Sequence, residues 1–71
     1  MRVEKGKFYQ HMLNRDIAFK VILIEGWIFK VYYGAFYNVN YNKVSGNPPL
    51  FLYNDCIKMK RGKWKEYKLK T

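Results

Sequence analysis

From Phe29 to Asn42 the chain alternates with a period of two. The odd positions Phe29, Val31, Tyr33, Ala35, Tyr37, Val39 and Tyr41 are apolar or aromatic. The even positions Lys30, Tyr32, Gly34, Phe36, Asn38, Asn40 and Asn42 are largely polar towards the end. Successive side chains of a strand point to opposite faces, so the odd set is expected to face a core and the even set to face out. Gly34 falls where so long a strand would bend or bulge, and two strands split by a turn at Gly34-Ala35 read almost as well. Ala18 to Glu25 is apolar on nearly both faces, which predicts a central strand, and Glu25-Gly26-Trp27 supplies a tight hairpin turn after it. Upstream, Gly6 to Met12 reads as a first strand opened by a glycine turn, and Asn14-Arg15-Asp16 as a polar loop. Lys43 to Pro49 is the clear loop, because Pro48 and Pro49 cannot sit side by side in a central strand. Leu50 to Tyr53 resumes as a short strand, and Cys56 to Lys60 alternates with Ile57 and Met59 inward. Arg61-Gly62 turns the chain, and Trp64 to Leu69 closes it, with a short helical turn around Lys63 to Tyr67 as a variant.

Five or six short strands in 71 residues predict a single all-β domain, a closed or nearly closed small barrel. An open sheet of this length would expose an aromatic face and two edges, and closure removes both problems. An SH3-like (Tudor-like) barrel of antiparallel strands fits first and an OB-like barrel second. A domain of this size buries only roughly 60% of the surface its unfolded chain exposes. Disulfides cannot help, since Cys56 is the only cysteine, and with His11 the only histidine no four-ligand Cys/His zinc site is expected. No metal or cofactor is therefore called for. Packing must suffice, and five Phe, seven Tyr and two Trp supply large apolar side chains for it.

Charge changes the picture. Fourteen Lys and Arg against five Asp and Glu give a formal net charge of +9. The surplus is concentrated after Ile57, in Lys58, Lys60, Arg61, Lys63, Lys65, Lys68 and Lys70, with Glu66 the one acid among them. Such a field favours nucleic acid, an anionic membrane surface or an acidic protein face; its bland counterpart is a solvated surface that keeps an aromatic-rich protein soluble. The lone thiol, the absence of an apolar h-region in MRVEKGKFYQ, and the interruption of Val21 to Tyr37 by Glu25 and Lys30 predict a soluble protein of the cytoplasm, unattached to membrane.

The chain shows no P-loop, no G-x-G-x-x-G, no H-E-x-x-H and no G-x-S-x-G, and Ser45 is its sole serine. His11 and Cys56 could meet across strands, but nothing supplies the third group that would orient them. Asp16, Glu25, Asp55 and Glu66 are scattered at turns and strand ends. No catalytic residue is expected, and the chain reads as a binding protein rather than an enzyme. Nucleic acid needs cations for phosphates and, for single strands, aromatic faces for bases. Lys58, Lys60, Arg61, Lys63 and Lys65 are the candidate phosphate track, and Lys30 with Tyr32 and Phe36 on the even face the candidate stacking patch. Against this, aromatics of so small a domain are commonly core. The rival class is protein binding, through an aromatic groove or a strand edge.

The opening Val3-Glu4-Lys5-Gly6-Lys7-Phe8-Tyr9-Gln10-His11, with Asp16-Ile17-Ala18-Phe19-Lys20-Val21, resembles the start of a family of small tailed-bacteriophage proteins. Tyr32-Tyr33 falls where those proteins carry a Trp pair, and Ile57-Lys58-Met59 followed by Trp64-Lys65-Glu66-Tyr67 is similar to their close. The chain departs from them between Phe36 and Pro49. With the clustered charge, the expectation is a protein acting in the host cytoplasm on nucleic acid, on a nucleic-acid-handling machine or on another host protein; the resemblance by itself implies a phage accessory protein with an SH3-like fold. It implies no particular activity.

Overall fold

The computed structural model describes residues 2–45 and 48–69. Five strands form one antiparallel sheet: Phe8–His11 (β1), Asn14–Glu25 (β2), Val31–Asn38 (β3), Leu50–Ile57 (β4) and Trp64–Tyr67 (β5). A single short helix, Val39–Ser45 (α1), follows β3. The sheet runs β4-β3-β2-β1-β5, so the first four strands form a meander and the last returns beside the first. This is the small, all-β, barrel-like architecture that the strand pattern predicts. No pairing joins β4 to β5 among the described residues, so the barrel stays open along that seam.

β2 is the central strand, as its two-sided apolar sequence implies. It begins earlier than expected, because His11 pairs with Asn14 and the turn is confined to Met12 and Leu13. Two bulges then change the phase of the side chains. Val21 pairs with Gly34 and Leu23 with Tyr33, leaving Ile22 as the extra residue in β2. Phe36 pairs with Tyr53 and Tyr37 with Phe51, leaving Leu52 as the extra residue in β4. A bulge shifts the inward set by one position on its strand. Accordingly Phe19 and Val21 point inward before the β2 bulge, and Ile24 packs against the core after it. Gly34 is obligatory at this place, since a Cβ there would land on the Lys20 carbonyl and the Phe19 ring.

The core is built from Tyr9, Phe19, Val21, Tyr32 and Phe36, with Val3, Ile17, Ile24, Ile57, Met59 and Trp64 packed around it. Phe19 and Phe36 meet edge to face at 4.9 Å, the geometry that aromatic quadrupoles favour. Tyr9 is fully buried, and its hydroxyl accepts from the Glu4 amide at 2.7 Å, which ties down the segment before β1. Gln10 is buried too and donates its amide to the Arg15 carbonyl at 2.6 Å.

Among the large side chains of β3 the inward set is even-numbered, which inverts the expected assignment for them, while the odd-numbered Ala35 is buried as expected. Tyr32 and Phe36 are in the core, whereas Tyr33 is partly exposed and Phe29 lies outside the strand. The alternation also runs past the end of the strand, since β3 stops at Asn38 and residues 39–42 are helical. Asn38 caps α1, its side-chain oxygen accepting the Asn40 amide at 2.9 Å, and Val39 docks the helix by full burial. Asn40 then donates to Asp16 at 3.3 Å, joining α1 to the start of β2. The polar residues Asn38 and Asn40 thus serve a cap and a bridge rather than an outer strand face. Of the loop expected from Lys43 to Pro49, residues 43–45 are the last turn of α1 and residues 46–47 lie outside the described residues.

Candidate functional site

After β4 the chain crosses from one end of the sheet to the other before entering β5. Ile57 pairs with Tyr32 near the end where the β2–β3 hairpin closes, and Trp64 pairs with His11 beside the β1–β2 turn. The intervening residues carry Lys58, Lys60, Arg61 and Lys63 over the core, held there by Met59, which packs inward. Local geometry keeps them in place. The Lys63 amide donates to the Lys60 carbonyl at 3.1 Å, and Gly62 between them has φ +79°. That combination fits a type II turn, in which only the residue at positive φ needs to be glycine. The Lys63 carbonyl in turn accepts the Met12 amide at 2.9 Å, pinning the turn to the β1–β2 hairpin.

Lys58, Lys60, Arg61, Lys63 and Lys65 are all exposed, as the sequence leads one to expect. Lys65 continues the line on β5, opposite Gln10. Glu66, the acid nearest in sequence, turns to Lys7 at 3.8 Å, and Lys7 also holds Glu4 at 2.7 Å. The hydrogen bond and charge of Lys7 hold the Glu4 carboxyl below its ordinary value, and Glu4 and Glu66 raise the Lys7 ammonium. Among the described residues, then, no carboxylate side chain pairs with the five cations of the crossover and β5. Their field is left uncompensated.

The proposed stacking patch needs correction. Tyr32 is 9% exposed and Phe36 7%, because the even positions of β3 face the core, and neither offers an open face to a base. Tyr32 keeps one link to the basic segment: with Val3, Met59, Arg61 and Gly62 it lines a cavity of about 380 Å³. Lys30 is exposed at the β2–β3 hairpin, away from Phe36 but at the sheet end from which Lys58 departs.

What the sequence reading missed lies beside Lys30. Glu25 pairs with Val31, so residues 26–30 form a five-residue hairpin loop rather than a tight turn. Gly26 enters it at φ +91°, and Trp27, Ile28 and Phe29 stand 90%, 81% and 84% exposed. The signal available was the run of three bulky residues after a glycine, which breaks the alternation on either side. Such a cluster on a small domain marks an interaction site more often than a packing defect. Two aromatic faces and a cation therefore share the hairpin tip, at the end of the sheet where the basic crossover begins.

His11 and Cys56 do not meet. His11 is on β1 and Cys56 on β4, with β2 and β3 between them. The His11 ring accepts the Leu13 amide at 3.0 Å and stacks edge-on against Trp64 at 5.0 Å. Cys56 is exposed beside Tyr33, whose phenol is pushed above its ordinary value first by a hydrogen bond to that thiol and then by nearby negative charge, Glu25 included. Among the described residues no three His, Cys, Asp or Glu side chains gather as a metal site, and no helix is long and apolar enough to cross a membrane. No protein-family model, curated protein or solved structure matches the chain.

Proposed function

We propose that this protein is a non-catalytic binding module that engages nucleic acid, alone or within a nucleic-acid-handling machine, through the basic crossover and the aromatic hairpin tip. The observation that carries the reading is the uncompensated line of Lys58, Lys60, Arg61, Lys63 and Lys65, which starts at the sheet end that also presents Lys30, Trp27 and Phe29. Cations displace condensed counterions from phosphates, and exposed aromatic rings accept unstacked bases with little regard to sequence. The expected ligand is therefore a single strand, bound with low sequence preference. Likeness to tailed-phage proteins in the residues at both ends of the chain adds the proposal that it is a phage accessory protein of the host cytoplasm. The alternative is a protein–protein module that inhibits or retargets a host factor, with the same tip inserting into a partner's pocket.

Fluorescence anisotropy with labelled single- and double-stranded DNA and RNA, at low and physiological salt, separates them. Nucleic-acid binding predicts an affinity that falls linearly on a log–log salt plot. Lys60→Glu/Arg61→Glu/Lys63→Glu should flatten that slope and collapse the affinity. Trp27→Ala should cost single-strand binding about 1–3 kcal/mol. Binding that disappears near physiological salt, or that ignores both sets of substitutions, refutes the reading and favours a protein partner.

A further inference from the structure

The two edges of the sheet are protected very differently. β5 is four residues long and carries Lys65 and Glu66, the short and charged form that discourages strand addition. β4 is eight residues long, pairs with β3 alone among the described residues, and has no cation. Its Leu50, Phe51, Leu52 and Tyr53 are 52%, 50%, 41% and 49% exposed, an apolar run on a strand that has a strand neighbour on one side only among the described residues. The bulge at Leu52 protects it in part, as does Asp55, whose carboxylate accepts the Cys56 amide at 2.7 Å. Beside the strand, Ile22, Leu23, Tyr33, Gly34, Asn54 and Asp55 line an open groove of about 350 Å³.

We propose that β4 is a self-association edge, along which two copies of this chain pair antiparallel about a twofold axis. Charge selects the occupant. Between Val31 and Ile57 the only cation is Lys43, and β3 and β4 have none, in a chain of net charge +9. An acidic partner would be met by cations, and this half of the sheet offers none. A second copy is itself strongly cationic, and this uncharged half is where it approaches without like-charge repulsion. The interface is isologous, as twofold pairing requires. Overlap of the full strand sets Leu50 opposite Ile57, Phe51 opposite Cys56, Leu52 opposite Asp55 and Tyr53 opposite Asn54. Asp55 then avoids its own copy, and the partner's Leu52 comes to the rim of the groove. Pro49, without an amide hydrogen, limits pairing at the outer end. The proposal does not depend on the nucleic-acid reading.

Sedimentation across a concentration series tests it, with the wild type, Leu52→Glu and, as a control remote from β4, Leu13→Glu. The wild type and Leu13→Glu should shift from 8.6 kDa towards twice that mass as concentration rises. Leu52→Glu should keep the wild-type circular dichroism and associate at least about tenfold more weakly, since it sets a carboxylate opposite the partner's Asp55 at both symmetric positions. A wild type that stays monomeric up to about 1 mM overturns the proposal. So does equal association of Leu52→Glu, or loss of association in Leu13→Glu. Should Leu52→Glu fail to fold, hydrogen exchange of the wild type decides. Slower exchange of β4 amides at higher protein concentration supports the edge, and exchange independent of concentration refutes it.

Discussion

Phe36 and Trp27 show how much a single aromatic's meaning depends on where its ring ends up. Phe36 packs between the rings of Phe19 at 4.9 Å and Tyr53 at 5.1 Å, so truncation leaves a void in a core of only a few large side chains. Phe36→Ala should destabilise the fold by about 3–5 kcal/mol, read from urea or thermal unfolding. Trp27 is almost fully exposed and outside the core cluster, and Trp27→Ala should leave the unfolding midpoint unchanged while weakening binding. Charge is equally local at Lys7. Its ammonium holds Glu4 below the ordinary 4.5, so Glu4 stabilises the fold above that value and loses its contribution as pH falls through the folded pKa. Lys7, raised above 10.5, contributes below that value and loses it as pH rises through its own folded pKa. Both groups are exposed, so the effects on stability are small. Lys7→Met should move the Glu4 titration up towards its ordinary value, followed by NMR of its side-chain carbons.

At the scale of elements, the sequence announces strands well and their phase poorly. The central position of β2, the inward Ile57 and Met59 and the glycine turn at Gly62 all follow from apolar runs and turn chemistry. The inversion of β3 does not, because both of its faces are aromatic and each bulge shifts the side-chain phase by one residue. The helix hides in the same stretch, announced only by Asn38 as a cap before Val39. The candidate site divides along this line. Cations cannot be buried cheaply, so the exposure of Lys58 to Lys65 is legible from composition alone. Whether an aromatic stacks on a ligand or on its neighbours is decided by register, and register is a property of paired strands. Gly34 tests the account. Gly34→Ala drives a methyl into the Lys20 backbone opposite the β2 bulge, and neither strand can retreat without breaking its pairing. It should unfold the domain or cost more than about 3 kcal/mol, at the upper end of single-residue effects. Gly6→Ala, with open space and only an unfavourable φ of +86°, should cost markedly less in the same unfolding assay.

The whole molecule is polarised. One half of the sheet, β3 with β4, is uncharged apart from Asp55, and the cations gather before β1, on β2 and β5, on the β2–β3 hairpin and on the crossover. The two proposals thus call on surfaces of opposite character, a salt-sensitive one for polyanions and an apolar edge for another copy. Pairing along β4 would leave both basic crossovers free, so a dimer should show a steeper salt dependence than the Leu52→Glu monomer on a DNA long enough to span both copies. The chain's two tryptophans fall into two different settings, Trp27 almost bare on the hairpin tip and Trp64 half-buried against His11. The protein thus contains its own pair of optical probes. Trp27 should emit to the red and be quenched by iodide, the more readily because the surrounding field attracts the anion. Trp64 should emit further to the blue and shift only when the fold opens. A ligand seated on the tip would shield the first emission and leave the second untouched, so occupancy and unfolding can be followed in one cuvette without a label.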